Sequence, residues 1–369
     1  MVALQLIRSA SGRAPIDCGL TLIVPGSIDA RTGGYAYDRR IAAELRRRGW
    51  TIEVKELDGS FPWPTESALA EAARVLAAIP DGRIVMIDGL AFGAMPTVVE
   101  REALRLRLVA IVHMPLAAEI GIDSDAARRL EASERRALAA ASVVVVTGRW
   151  TVSALERYAV GRDRIAIVEP GTDRAPIARG SNRSRVELLS VATLNPGKGH
   201  EMLMRALATL AHLDWHLTCA GSLDRHPPTT ERVRAIVRAN NLNDRVSLAG
   251  EVDADGLAAA FDRADVFVLP TLGETYGMAV AEAIAHGLPV VSTTTGAIPD
   301  LVGFADDAAG LLVSPGDEAA LTTVLERVLT DDALRARLAE AARRRRDRLP
   351  SWDDAANKMT AVLNGRNPF

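Results

Sequence analysis

The sequence predicts an α/β fold built from two doubly wound parallel sheets, one in each half of the chain. Three observations carry this. Short apolar runs rich in β-branched residues recur along the chain, with stretches of helical period between them. Alternation of strand and helix builds parallel sheets through right-handed crossovers. A polar segment rich in Gly and Pro, GTDRAPIARGSNRSR, interrupts the alternation midway, and 369 residues suit two domains better than one.

In the first half, strands are expected at 20–24, 51–54, 84–88, 108–112, 143–147 and 165–168. Helices are expected at 35–48, 65–78, 126–140 and 153–158, and Gly49 and Gly161 stand where helices stop. Strands resume at 187–192, 215–219, 246–248, 266–269, 290–292 and 310–313. Helices follow at 201–211, 230–240, 254–263, 277–286, 319–330 and 332–347, and a last one at 351–363 comes after Pro350. These elements divide the chain into a first domain at 1–174, a linker at 175–185, a second domain at 186–347 and a terminal helical segment at 348–369.

Bulk composition excludes several classes. Net charge is −3, so the chain as a whole is no electrostatic binder of nucleic acid. Cys18 and Cys219 are the only cysteines, and two thiols make neither a disulfide framework nor a zinc site. Cys219 ends the strand-like WHLTC and reads as a small core residue in a reducing, cytoplasmic compartment. The opening MVALQLIRSASGRAP has too short an apolar stretch for a leader, and no window reaches the ~18 apolar residues of a membrane span. The basic positions Arg39, Arg40, Arg46, Arg47 and Arg48 read first as a soluble cationic helix end that suits the helix dipole. Their second reading is a peripheral contact with anionic lipid at the inner face of a membrane. The arginine run at 343–348 reads as a solvated helix face.

The richest segment is LPTLGETYGMAVAEAIAHGLPVVSTTTGAIP. A strand end, a small-residue loop with Glu274, and a helix opening at Gly277 form one parallel unit, whose ligands lie at the carboxyl ends of strands. Free amides at the helix start suit a phosphate. Glu274 and Glu282 flank that anion site, and carboxylates there serve better as acceptors for sugar and ribose hydroxyls. About five helical residues separate Gly277 from Glu282, roughly 7–8 Å, comparable to the reach from a diphosphate to a ribose. Lys198, in a Gly-flanked loop after another strand, can neutralise a diphosphate as a point charge. His113 and Asp88 end strands of the first half, where a polar side chain points into a cleft. Gly33 and Gly34 let backbone approach a ligand closely. VPGSIDARTGG does not hold G-x-G-x-x-G in register, so a dinucleotide cofactor is disfavoured, and no cofactor is expected. No metal is expected either: Asp123-Ser-Asp125 has an Asp-x-Asp spacing but reads as a helix N-cap.

These residues resemble a family. Glu274-Thr-Tyr-Gly-Met-Ala-Val-Ala-Glu282 is similar to the E-x7-E signature of retaining glycosyltransferases of family 4, which have the GT-B architecture of two Rossmann-like domains facing a cleft. Gly33-Gly34, His113, Pro196-x-Lys198-Gly199, Gly287-Leu-Pro-Val-Val, Gly296-Ala-Ile-Pro-Asp300 and Gly310-Leu-Leu-Val-x-Pro-Gly316-Asp317 support the likeness over about residues 20–365. It implies a nucleotide-diphosphate sugar, UDP- or GDP-linked, as donor, and a saccharide, lipid-linked or small-molecule hydroxyl as acceptor. Glu282 would hold the ribose and Glu274 a donor-sugar hydroxyl. Backbone around Thr275, Tyr276, Gly277 and Met278 would meet sugar and diphosphate, Lys198 the diphosphate, and Gly250 and Val252 the base. His113 would lie at the reacting centre, and the last helix would cross back to the first domain. In one departure, Thr193 stands where the family usually carries an Arg, five residues before the Lys. Either Arg149 or another residue supplies that charge, or Lys198 and the helix start act without it. Two other classes share the architecture: nucleotide-sugar 2-epimerases and hydrolases, and non-catalytic nucleotide-sugar-binding subunits.

Overall fold

Among the described residues the apolar runs become twelve strands in two all-parallel sheets. The computed structural model describes residues 19–181 and 185–365. Cys18, the opening stretch read as lacking a leader, and part of the expected linker lie outside the described residues. The first sheet holds β1 (Gly19–Pro25), β2 (Thr51–Leu57), β3 (Ile84–Asp88), β4 (Arg107–Val112), β5 (Val143–Val146) and β6 (Ile165–Ile167), in the order β2-β1-β3-β4-β5-β6. The second holds β7 (Val186–Val191), β8 (Trp215–Ala220), β9 (Val246–Gly250), β10 (Val266–Leu269), β11 (Val290–Thr293) and β12 (Gly310–Val313), in the order β12-β11-β10-β7-β8-β9. Helices cover both faces of each sheet, so the inner strands are apolar on both sides, while the edge strands β2 and β9 keep exposed positions. Ile23, Ile87 and Ala110 enter one core layer of the first sheet, and Leu22, Met86 and Ile111 the other. Cys219 is fully buried beside the Trp215 strand start, and burial pushes its thiol up to about 12, as befits an inert core residue.

The helices follow local chemistry. Thr65 caps Glu66–Ala77, and Asp123 accepts from the amides of Asp125 and Ala126 to cap Ser124–Ala139, as its Asp-x-Asp spacing suggested. The last helix, Trp352–Leu363, opens on a capping box between Ser351 and Asp354. Its apolar stripe, including Trp352, Ala355, Met359 and Val362, joins the first sheet's core, and Arg107 donates to the carbonyls of Val362 and Leu363 at its end. Gly89–Ala94, Pro96–Glu102 and Ile298–Val302 are further short helices that the sequence reading left as loops.

Two arginine clusters make more contacts within the fold than the sequence suggests. In the run at 343–348, Arg343, Arg344 and Arg348 are exposed as a solvated face requires, and the run also clamps its surroundings: Arg345 donates to the Leu301 carbonyl and pairs with Asp307, Arg348 pairs with Asp307, and Arg346 donates to the Ala175 carbonyl. The long helix Gly33–Arg47 ends on exposed Arg46 and Arg47, the cationic end that suits the helix dipole, and its arginines also find partners nearby. Arg39 donates to the carbonyls of Ile28 and Ala30, and Arg40 pairs with Asp173 over the Trp352 ring. Arg46 donates to Ile52, Arg47 pairs with Glu44, and Arg48 pairs with Glu44 and Asp353. Among the described residues no helix is long and apolar enough to cross a membrane.

Candidate active site

The second sheet reverses its winding between β7 and β10, the kind of switch point beside which ligands bind at the carboxyl edge of a parallel sheet. Lys198 stands on one loop and Glu274 on the other, and Lys198 Nζ donates to Glu274 Oε2 at 2.8 Å. Gly199 makes the meeting possible. It has φ 71°, and a Cβ there would lie 2.0 Å from the Pro270 carbonyl oxygen, so only glycine lets the loops close. The Leu272 amide (2.7 Å) and the Thr271 hydroxyl (2.9 Å) both donate to the Gly197 carbonyl and lock the loops together. Glu274 Oε1 accepts from the Thr275 amide at 3.1 Å.

From there the chain enters the helix Met278–Ala285 through Gly277, at φ 95°, and no side chain caps the helix start. Its first amides are left for an anion. Thr275 and Tyr276 are buried; the Thr275 carbonyl accepts from Ala297, and burial holds the Tyr276 phenol well above its ordinary value. These two residues therefore offer the crevice their backbone. Glu282 lies on the same helix and lines a cavity of about 410 Å³ that Arg40, Asp173, Met278 and Trp352 also line. Burial, with Asp173 adding repulsion, pushes its carboxyl up to about 7.

The first domain brings its own cluster to the opposite wall. His113 leaves β4, Asp88 ends β3, and Asp38 comes from the helix Gly33–Arg47. His113 Nε2 lies 3.2 Å from Asp38 Oδ1 and 3.4 Å from Asp88 Oδ2, and Tyr37 meets the ring edge-on at 5.3 Å. Burial opposes charge on the imidazole, but the two carboxylates outweigh it and raise His113 to about 10. Burial also lifts Asp38 to about 6, against the pull of His113. The two carboxylates therefore favour the charged form of the ring. Among the described residues these three form the one group with metal-ligand geometry, their ligand atoms within 4.8 Å. His113 Nε2 hydrogen-bonds Asp38 Oδ1 and pairs with Asp88 Oδ2, while Asp38 Oδ2 is buried without a hydrogen-bond partner.

The walls touch at several points. Across the crevice a Cβ on Gly33 would lie 3.9 Å from Met278 Sδ, so the starts of two helices face each other, and within the first domain one on Gly34 would lie 3.1 Å from His113 Cδ2. Arg31 donates to the Val252 carbonyl at 2.6 Å, tying the loop after β1 to the loop of Gly250 and Val252. Gly148 of the β5 loop lies against the Thr275 carbonyl, and Arg149 after it is exposed. Direct contacts thus join Lys198 to Glu274, Glu274 to Gly277, Gly33 to Met278 and Gly34 to His113, whereas the cavity that Met278 and Glu282 line is bordered by neither Lys198 nor Glu274.

Two residues escaped the sequence reading. Asp38 stands in the apolar stripe of its helix beside Tyr37 and Ile41, and a carboxylate in such a stripe was the available signal. Glu134 is fully buried, accepts from the Leu116 amide at 2.9 Å and so holds the loop that follows His113. Burial pushes its carboxyl up to about 7, against the Leu116 amide and Tyr158.

Comparison with known proteins agrees with this layout. Residues 185–331 match the model of the family Glycosyl transferases group 1. The chain is 28% identical over 330 residues to the MMP alpha-(1->4)-mannosyltransferase of Mycolicibacterium hassiacum, covering 85% of this chain and 78% of that protein. It is 32% identical over 246 residues to a D-inositol 3-phosphate glycosyltransferase of Xylanimonas cellulosilytica, covering 62% of this chain and 58% of that relative, under two thirds of its length. In structure it resembles sucrose-phosphate synthase from Thermosynechococcus elongatus (TM-score 0.79, 22% identity, 94% of this chain and 98% of that one). Anabaena HepE, solved in complex with UDP and glucose, superposes with a TM-score of 0.72 at 16% identity, over 93% of this chain and 99% of that one. The structural likenesses show the two-domain GT-B fold, and the resemblance to glycosyltransferases stands.

Proposed function

We propose that this chain, a glycosyltransferase by its comparisons, moves a sugar from a UDP- or GDP-linked donor to a hydroxyl acceptor, with retention at the anomeric carbon and without a metal ion. The observation that carries this reading is the meeting of Lys198 and Glu274 at the switch point of the second sheet, beside an uncapped helix start. The diphosphate lies between Lys198 and the amides of Gly277 and Met278. Glu282 accepts from the ribose hydroxyls, Glu274 accepts from a donor-sugar hydroxyl, and Gly250 and Val252 border the base.

In the step itself the bond from the anomeric carbon to the diphosphate oxygen breaks, and its electron pair leaves with the diphosphate. The acceptor oxygen bonds to the same face of that carbon, and its proton passes to the departing phosphate oxygen. The products are a glycoside and a nucleoside diphosphate. An imidazolium has no lone pair to accept that proton, which favours the phosphate as base and leaves His113 to donate a hydrogen bond at the reacting centre. Lys198 and the amides act because charge on the diphosphate grows in the transition state.

The acceptor is a polyhydroxyl compound, free or lipid-linked, and the first domain supplies its binding wall. The reaction is placed in the cytoplasm. The engaged arginines of the helix Gly33–Arg47 give no support to a lipid contact. A thermal-shift series with UDP, GDP and their sugars identifies the donor, because a ligand of the native state raises its melting point. Labelled donor is then incubated with and without candidate acceptors. Glycoside formed only with acceptor supports transfer. Epimer or free sugar from donor alone favours the epimerase or hydrolase reading, and tight binding without turnover favours a non-catalytic subunit.

A further inference from the structure

The chain that leaves β4 at His113 does not stay within its own domain. After Pro115 it makes a single 3-10 turn at Leu116–Ala118, and Asp123 then caps the helix Ser124–Ala139. The loop is anchored at its start: the Thr147 hydroxyl donates to the His113 carbonyl at 3.4 Å, and Glu134 accepts from the Leu116 amide at 2.9 Å. Beyond these anchors Ile120 and Gly121 reach the second domain. A Cβ on Gly273 would lie 3.1 Å from Ile120 Cδ1, and one on Gly197 would lie 3.7 Å from Ile120 Cβ. Gly121, at φ 98°, turns the chain there, and a Cβ on it would lie 3.3 Å from Pro196 Cγ. Ile120 therefore sits over the junction of two loops, one carrying Lys198 and the other Glu274.

The junction is shaped to receive it. The Thr271 hydroxyl donates to the carbonyls of Gly197 and Gly273, both at 2.9 Å, which sets the two glycines side by side. Neither has a positive φ, so backbone conformation does not demand glycine at either place. What their missing side chains supply is room, and Ile120 takes it. Ile120 is half-buried and is part of none of the apolar cores of the two domains. The residue after each glycine belongs to the pair Lys198–Glu274, bonded at 2.8 Å. An apolar side chain of the first domain thus lies one residue away from the groups that face the diphosphate and the donor sugar in the reading above. Water competes with the acceptor at such a place. In its attack the bond from the anomeric carbon to the diphosphate oxygen breaks, and the electron pair leaves with the diphosphate. The water oxygen bonds to that carbon and a water proton passes to the departing phosphate oxygen, giving free sugar and nucleoside diphosphate. Excluding water is what keeps a transferase from acting as a hydrolase.

We propose that Ile120 is a positioning residue, an apolar seal that closes the loop of His113 against the Lys198–Glu274 junction and keeps water from the anomeric carbon. The inference rests on the transfer reading above. Ile120→Ala, Ile120→Val and Gly273→Ala are compared with wild type in the whole chain. Glycoside and free sugar are measured from the labelled UDP- or GDP-sugar that turns over, with and without its acceptor, beside calorimetry with UDP and GDP and a thermal melt. In Ile120→Ala the ratio of free sugar to glycoside should rise about tenfold, with nucleoside diphosphate affinity within about threefold of wild type. Ile120→Val keeps most of the volume and should restore most of the ratio. Gly273→Ala should raise the ratio as well, because its methyl group presses on Ile120 Cδ1. The melting temperature of Ile120→Ala should hold, since the side chain leaves no core. A merely structural role would lower both products together. Wild-type ratios in both Ile120→Ala and Gly273→Ala overturn the inference alone, as does a parallel loss of glycoside and free sugar. A wild-type protein that forms free sugar and never glycoside overturns the transfer reading and the seal with it.

Discussion

Replacing Lys198 by Ala separates chemistry from stability more cleanly than any other change in this crevice. The ammonium lies 2.8 Å from Glu274 Oε2, and the two side chains are 25% and 16% exposed, so solvent screens the pair in part. Two unit charges 4 Å apart at an effective dielectric of ~20 interact by about 4 kcal/mol. A donor aimed at charge that develops in the transition state is worth about 3–4 kcal/mol, or roughly 10²–10³ in kcat. The stability cost is smaller. Glu274 keeps the Thr275 amide and some contact with water, which limits the loss to about 1 kcal/mol. Because the diphosphate is more charged in the transition state than in the ground state, kcat should fall further than KM rises. The assay is release of nucleoside diphosphate at saturating donor and acceptor, with a thermal melt on the same preparation. A kcat within about threefold of wild type, at unchanged melting temperature, would show that the leaving group does not depart against Lys198.

Three more outcomes follow from the buried titratable groups. Glu282 is pushed up to about 7, so it loses its charge as pH falls through 7 and grips ribose less well; nucleoside diphosphate affinity should drop between pH 8 and pH 6, and Glu282→Gln should flatten that profile. Parallel profiles in both proteins would contradict the role. Glu134 rises from 4.5 to about 7 on folding, so the folded state holds a proton that the unfolded state gives up. Wild-type stability should therefore fall as pH rises from about 4.5 through 7, and Glu134→Gln should melt higher than wild type at pH 8 and lose part of that slope. Equal melting temperatures at pH 8 would refute it. His113→Ala leaves Asp38 and Asp88 facing each other without their cation, which should cost about 3 kcal/mol in urea unfolding as well as turnover; an unchanged unfolding midpoint would show that the triad is not coupled as described.

The sheets were legible because a parallel strand buried on both faces writes itself as an unbroken β-branched run. Expected and observed strands differ by one or two residues, apart from β2, which runs three residues further to Leu57. The short helices Gly89–Ala94 and Ile298–Val302 were hidden because their Gly and Pro content reads as turn, and in the first of them Asp88 supplies the missing signal by capping the Leu90 amide. Site residues were legible one at a time. Lys198 and Glu274 sit beside glycines in loops that follow strands, and Glu282 lies on the helix that Gly277 opens. Their meeting was not, because Lys198 and Glu274 are 76 residues apart and only the order of β7 and β10 brings them together. The same holds for Asp38, which is 75 residues from His113, and for the arginines that close on Asp307 from 38 and 41 residues away.

The account turns on where the donor's diphosphate sits, and a crystal grown or soaked with UDP or GDP reads that directly. The expected map has the diphosphate between Lys198 Nζ and the amides of Gly277 and Met278, with the ribose hydroxyls on Glu282. A nucleotide bound elsewhere, or a crevice with no density at millimolar ligand, would contradict it.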